Sequence, residues 1–143
     1  MIYLDTSILV PYYCPEPNSE IAEGIIMEAG QPAISNLTEV ELASAVSRKI
    51  REQNLSQTDG NRIMAEFQSH IDRNLFLMIP VRMLHYQIAK DWIARFSTPL
   101  RTLDALHIAV TFSNDLTIVT ADERLENSAR SLRVRSNLIS TSS

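Results

Sequence analysis

Leu100-Arg101-Thr102-Leu103-Asp104-Ala105-Leu106-His107-Ile108-Ala109-Val110 is an apolar stretch interrupted by one carboxylate, Asp104. Leu103, Leu106 and Val110 recur at near-helical spacing, and Ala105, Ile108 and Ala109 fill most other positions. A helix apolar on that much of its surface is expected to be buried against a sheet. An acid inside it costs free energy unless a cation, a donor or water reaches it. The rest of the chain therefore has to supply a covered sheet and a polar neighbour for Asp104.

The strands that fit lie on both sides of this helix. Ile2-Tyr3-Leu4, Pro32-Ala33-Ile34-Ser35, Leu75-Phe76-Leu77-Met78-Ile79 and Leu116-Thr117-Ile118-Val119-Thr120 are short and apolar, and Val134 starts a weak edge strand. Helices are predicted between them. One follows Asp5 into Tyr12, and one runs through Ala29 to a stop at Gly30. A long one begins near Asn36, with Leu37, Val40, Leu42 and Val46 on its apolar side. Another covers 57–72, with Ile63, Phe67 and Ile71 inside. Leu84, Ile88, Trp92 and Phe96 repeat every four residues in a fifth, and the last runs over 122–132. Alternating helices and continuously apolar strands predict an α/β fold, a parallel sheet with helices on both faces. Residues 1–139 form one domain on this reading, and the polar tail 140–143 frays.

In such sheets ligands bind beyond the carboxyl ends of the strands. Asp5 and Asp122 follow the first and fourth strands, and Glu41 lies in the first turns after the second, so three acids point at one rim. Asp104 precedes the fourth strand, and connection rules alone do not bring it there. Capping explains some of these acids singly. Asp5 and Asp122 each stand before a helix, and Thr38-x-x-Glu41 and Asn36-x-x-Glu39 both match a capping box, of which the Asn36 version sits better after its strand. Capping does not explain why they coincide. Four carboxylates meeting at one point raise one another's pKa values, and a cation cancels that cost. Oxygen-only ligands suit Mg²⁺ or Mn²⁺, whose bound water can attack a phosphodiester.

Composition narrows the alternatives. The formal net charge is −4, so the molecule as a whole is not a nucleic-acid glove. Arg48, Lys49 and Arg51, on the helix that carries Glu41, are candidate phosphate contacts, whereas Arg130, Arg133 and Arg135 read as plain surface. Cys14 is the single cysteine, which excludes an intrachain disulfide and a cysteine-rich zinc site. The three glycines fit neither a dinucleotide fingerprint nor a P-loop. No secretory signal or membrane-spanning run is evident, so a cytoplasmic protein is expected. A phosphoryl-accepting receiver wants an acid where Pro80 stands, and a dehalogenase-like phosphatase wants one where Ser7 stands. His107 reads as a packed core or edge residue, and His70 and His85 have no partner pattern.

Four segments together resemble the PIN domain family, and within it the VapC-type toxins of toxin–antitoxin pairs. They are Tyr3-Leu4-Asp5-Thr6-Ser7, Ser35-Asn36-Leu37-Thr38-Glu39-Val40-Glu41, Leu103-Asp104-Ala105-Leu106-His107-Ile108-Ala109 and Ile118-Val119-Thr120-Ala121-Asp122. The resemblance implies a three-layer α/β/α domain with a parallel sheet of about five strands. It also implies a Mg²⁺- or Mn²⁺-dependent endoribonuclease, commonly a homodimer, with an antitoxin that blocks the acidic pocket with a basic side chain. Asp5, Glu41, Asp104 and Asp122 fall on the family's acidic quartet. By that analogy Asp5 and Asp104 ligate metal directly, Glu41 and Asp122 partly through water, and Ser7 and Thr120 hold a ligand water or orient a carboxylate. Ala45 and Val46 stand where a glycine often follows the second acid, a departure that leaves the chemistry untouched. The family also contains nucleases that process RNA or cut structured DNA, and the scaffold alone would serve as a non-catalytic binding module.

Overall fold

The computed structural model describes residues 1–139, so the predicted fraying of 140–143 lies outside the described residues. The elements are β1 (Ile2–Leu4), α1 (Thr6–Tyr13), α2 (Ser19–Ala29), β2 (Ala33–Ser35), α3 (Asn36–Arg51) and α4 (Gln57–Asp72). They continue with β3 (Leu77–Ile79), α5 (Met83–Ile93), α6 (Thr102–Ser113), β4 (Thr117–Thr120), α7 (Glu123–Ser131) and β5 (Ser136–Leu138). All strand pairs are parallel, in the order β3-β2-β1-β4-β5. The chain thus starts in the middle, works outward through β2 and β3, and returns to the other side of β1. The reversal opens a crevice between the carboxyl ends of β1 and β4, where such sheets take their ligands.

Successive strand residues point to opposite faces, which divides the core in two. Tyr3, Ala33 and Ile118 pack with residues of α5, α6 and α7. Leu4, Ile34 and Val119 pack with residues of α1, α2, α3 and α4. The helices that carry the chain outward to β3 cover one face, and those that bring it back cover the other. This is what right-handed crossovers require once the direction of travel reverses. Expectation and structure agree on a three-layer parallel α/β/α fold.

Several local readings change. The third strand begins at Leu77, not Leu75, because β3 is an edge strand and Phe76 leaves it to pack on Phe67. The four-residue stripe marks the buried side of α5 only in its middle: Ile88 and Trp92 pack on the core, Leu84 and Phe96 are exposed, and His85 and Ala89 complete the inward face. The helix ends before Phe96, whose φ of 57° belongs to the left-handed region. On α3 the buried row is Thr38, Leu42 and Val46, while Val40 is exposed. The cap of α3 is Ser35 rather than Asn36, and its N–H donates to Thr38 Oγ1 at 3.2 Å. The Asn36 side chain instead accepts from the Val81 N–H at 2.8 Å and pins the exit from β3.

α6 is buried from Ala105 through Thr111, yet Leu103 is 47% exposed. Ile108→Ala should therefore cost about 2–5 kcal/mol through transfer and cavity terms. Leu103→Ala should stay within about 0.5 kcal/mol. Urea denaturation of the two variants checks this, and equal losses would contradict the burial pattern.

Candidate functional site

A cavity of about 410 Å³ opens at the crevice between β1 and β4, and Asp5, Glu41, Asp104, His107, Asp122 and Arg101 all line it. The four acids singled out in the sequence therefore share one pocket. Asp104 was the unplaced member. Two helices join β3 to β4, and the local pattern does not say which of them starts at the rim. α6 does so, and it ends beside the start of β4, so its first turn delivers Asp104.

Asp5 stands at the N-cap position of α1, but its side chain makes no capping hydrogen bond. It accepts instead from Ser7 Oγ at 2.6 Å and Thr120 Oγ1 at 3.0 Å. Those hydroxyls accept in turn from the N–H groups of Ala121, at 2.8 Å, and Asp122, at 3.0 Å. Each hydroxyl has one proton, and both protons go to Asp5. Ser7 and Thr120 thus clamp the carboxylate to the turn after β4. Burial pushes the Asp5 carboxyl up to about 6, against the two hydroxyl donors and the nearby His107, with the Asp122 charge adding to the rise. Burial likewise raises Asp104, partly offset by Arg101 and reinforced by Asp122.

Asp122 is a cap and a pocket residue at once. One carboxylate oxygen accepts from the Arg124 N–H at 2.9 Å and the other faces Arg101 Nη2 at 4.0 Å. Arg101 Nε lies 3.5 Å from Asp104 Oδ2. Glu41 projects from the second turn of α3, free of any capping role, and accepts from Thr6 Oγ1 at 2.8 Å and from His107 Nε2. Burial would raise its pKa, but the His107 hydrogen bond and charge and the Thr6 hydroxyl outweigh that and lower it.

His107 is the residue whose role the sequence did not disclose. It is buried, one turn after Asp104, and its Nδ1 meets Tyr3 Oη at 2.6 Å. Ser35 Oγ lies 2.8 Å beyond that phenol. Nε2 bonds the Glu41 carboxylate, and Nδ1 bonds the Tyr3 hydroxyl. Burial holds the Tyr3 phenol far above its ordinary pKa, so it stays a donor. Both ring nitrogens are then occupied, and the imidazole orients Glu41 rather than offering a ligand. Its i+3 spacing from Asp104 was the one available signal.

The basic residues divide differently from expectation. Arg48 borders a larger groove of about 600 Å³ that continues from the acidic pocket along α1 and α3. Lys49 turns away to Glu16 at 2.5 Å, and Arg51 donates to Ser47 Oγ at 2.7 Å, so neither lines the pocket or the groove.

The oxygen donors have the chemistry of a hard divalent cation site. Among the described residues no three His, Cys, Asp or Glu side chains stand close enough together to hold one ion directly. The arrangement suits a cation that keeps much of its water and takes one or two carboxylates, as Mg²⁺ does.

The sequence pattern of the PIN domain matches residues 2–131. The chain belongs to the PIN domain family. PIN domains are nucleases and generally use divalent metals. Known structures share the fold of this PIN domain at low identity. A chain of FitAcB from Neisseria gonorrhoeae is 20% identical, with a TM-score of 0.73 over 95% of this chain and 96% of that one. VapC20 from Mycobacterium tuberculosis, a sarcin-ricin loop cleaving toxin, is 15% identical, with a TM-score of 0.69 over 90% and 95%. A chain of VapBC2 from Rickettsia felis, bound to a promoter DNA fragment, is 16% identical, with a TM-score of 0.68 over 97% and 99%. No curated protein matches this PIN domain. Among its described residues no helix is long and apolar enough to cross a membrane.

Proposed function

We propose that this PIN domain is a Mg²⁺- or Mn²⁺-dependent endoribonuclease and the toxin of a toxin–antitoxin pair. The observation that carries the reading is the cavity itself, where Asp5, Glu41, Asp104 and Asp122 line one pocket at the switch point of the sheet. Structural likeness to an RNA-cleaving toxin and to toxin–antitoxin complexes supports the substrate and the partner. A homodimer and a cognate antitoxin that places a basic group in the pocket belong to the same reading.

In this assignment Asp5 and Asp104 would hold the cation, with Asp122 and Glu41 acting partly through water. When bound, the cation supplies an activated water and stabilises charge developing on phosphorus. Ser7 and Thr120 fix the Asp5 carboxylate, so its direction toward the pocket is set before substrate arrives. Glu41, held by His107 and Thr6, is positioned to accept a proton from an attacking water. None of these steps needs a nucleophilic side chain.

The test is cleavage of a mixed, structured RNA pool with Mg²⁺, Mn²⁺ or EDTA, alongside Asp104→Asn and a matched DNA pool. Metal-dependent RNA cutting, lost in the variant, is the expected result. Full activity in Asp104→Asn would sink the site assignment. Cutting of DNA alone would move the protein to the structure-selective nucleases. Absence of cutting together with absence of metal binding would leave a binding scaffold.

A further inference from the structure

We propose that Arg101 is the residue that receives the substrate's phosphate, parked in the free protein on Asp104 and Asp122. This rests on the nuclease reading above and adds to it the contact that admits a polyanion to an acidic pocket. A chain of net charge −4 with four carboxylates around its cavity repels nucleic acid at the place where it must bind. Among the described residues that line that cavity, Arg101 alone is a permanent cation.

Its geometry fits a transferable contact. Arg101 Nε is 3.5 Å from Asp104 Oδ2 and Nη2 is 4.0 Å from Asp122 Oδ2. Both separations exceed hydrogen-bond length, so the guanidinium is drawn by charge without being locked. Its side chain is 57% exposed, and such pairs are weak. The backbone, in contrast, is fixed at the N-cap of α6, three residues before Asp104. The head can swing while its root stays at the rim. With the carboxylates neutralised by a cation, the guanidinium would be free to leave them, and its fork would match a phosphate in a bidentate way. Arg48 does not compete for this role, because it borders the neighbouring groove and does not line the cavity that holds the four acids.

The experiment uses the full chain, with Arg101→Gln and Arg101→Lys beside the wild type. Mn²⁺ binding is measured by calorimetry without RNA. Binding of a short random-sequence RNA pool is measured by fluorescence anisotropy in Ca²⁺, across a salt series. In Arg101→Gln, RNA affinity should fall roughly tenfold, the loss of one charge-assisted contact. The slope of log affinity against log salt should drop by about 1. Mn²⁺ affinity should hold or rise, since a competing charge has gone, and Arg101→Lys should recover part of the RNA affinity. Unchanged RNA binding in Arg101→Gln overturns the inference. A parallel loss of Mn²⁺ and RNA binding also overturns it, because Arg101 would then be arranging the carboxylates. A wild type that binds neither Mn²⁺ nor RNA is a different failure, that of the nuclease reading itself.

Discussion

Asp5→Asn should abolish cleavage and at the same time stabilise the metal-free protein. The two effects share one cause. Asp5 is 5% exposed and burial raises its carboxyl to about 6, against an ordinary 3.8. A raised acid binds its proton more readily in the folded state. Its penalty is absent below about pH 4, grows as the pH rises through 6, and is complete above that. That difference corresponds to about 3 kcal/mol at neutral pH, an upper figure for what the neutral amide can return. The amide also forfeits an anionic ligand, so activity should fall by at least about a thousandfold.

Acidifying from pH 7 to 5 should narrow the stability gap between variant and wild type by about 1 kcal/mol, because the wild-type carboxyl takes up its proton. The comparison has to be made between the two proteins. His85, whose pKa is lowered by burial and by Arg82, loses stability over the same range in both. Glu41, lowered overall, acts only at more acidic pH. Thermal melts in EDTA at several pH values read the gap directly. A wild type as stable as Asp5→Asn at pH 7 would mean that the acids are not clustered, or that Asp5 is hydrated.

His107→Ala should be the most damaging change in the pocket for stability, at about 3 kcal/mol. The imidazole is 2% exposed and fills the space between the Tyr3 phenol and the Glu41 carboxylate. Removing it opens a cavity and leaves the buried phenol with only the Ser35 and Thr38 hydroxyls. Glu41 keeps Thr6 but loses its stronger partner, so cleavage should fall as well. His107→Gln can preserve the donor to Glu41 while abandoning Tyr3, and should lose less of both. Urea midpoints with matched m-values measure the first effect, and cleavage rates in saturating Mn²⁺ measure the second. A His107→Ala protein as stable as the wild type would place the imidazole outside the core.

The sequence by itself determined the alternation of strands and helices, and with it the parallel sheet, because apolar runs of strand length are local and periodic signals. It also pointed to acids that share one pocket, since Asp5 and Asp122 follow strands whose ends lie on one rim of any such sheet, while Ser7 and Thr120 came from the family resemblance. Only the tertiary structure decided which helix between β3 and β4 begins at the rim, and so where Asp104 goes. Periodicity tells how residues are disposed around a helix axis and not which partner that axis meets. That is why Leu103, Leu84 and Phe96 look buried in the sequence and are exposed in the fold. The contacts that complete the pocket span long separations, Glu41 to His107 and Tyr3 to His107 across the sheet, and Arg101 to Asp122 across the crevice. No local pattern encodes such pairs, because they exist only once the chain has reversed direction beside β1.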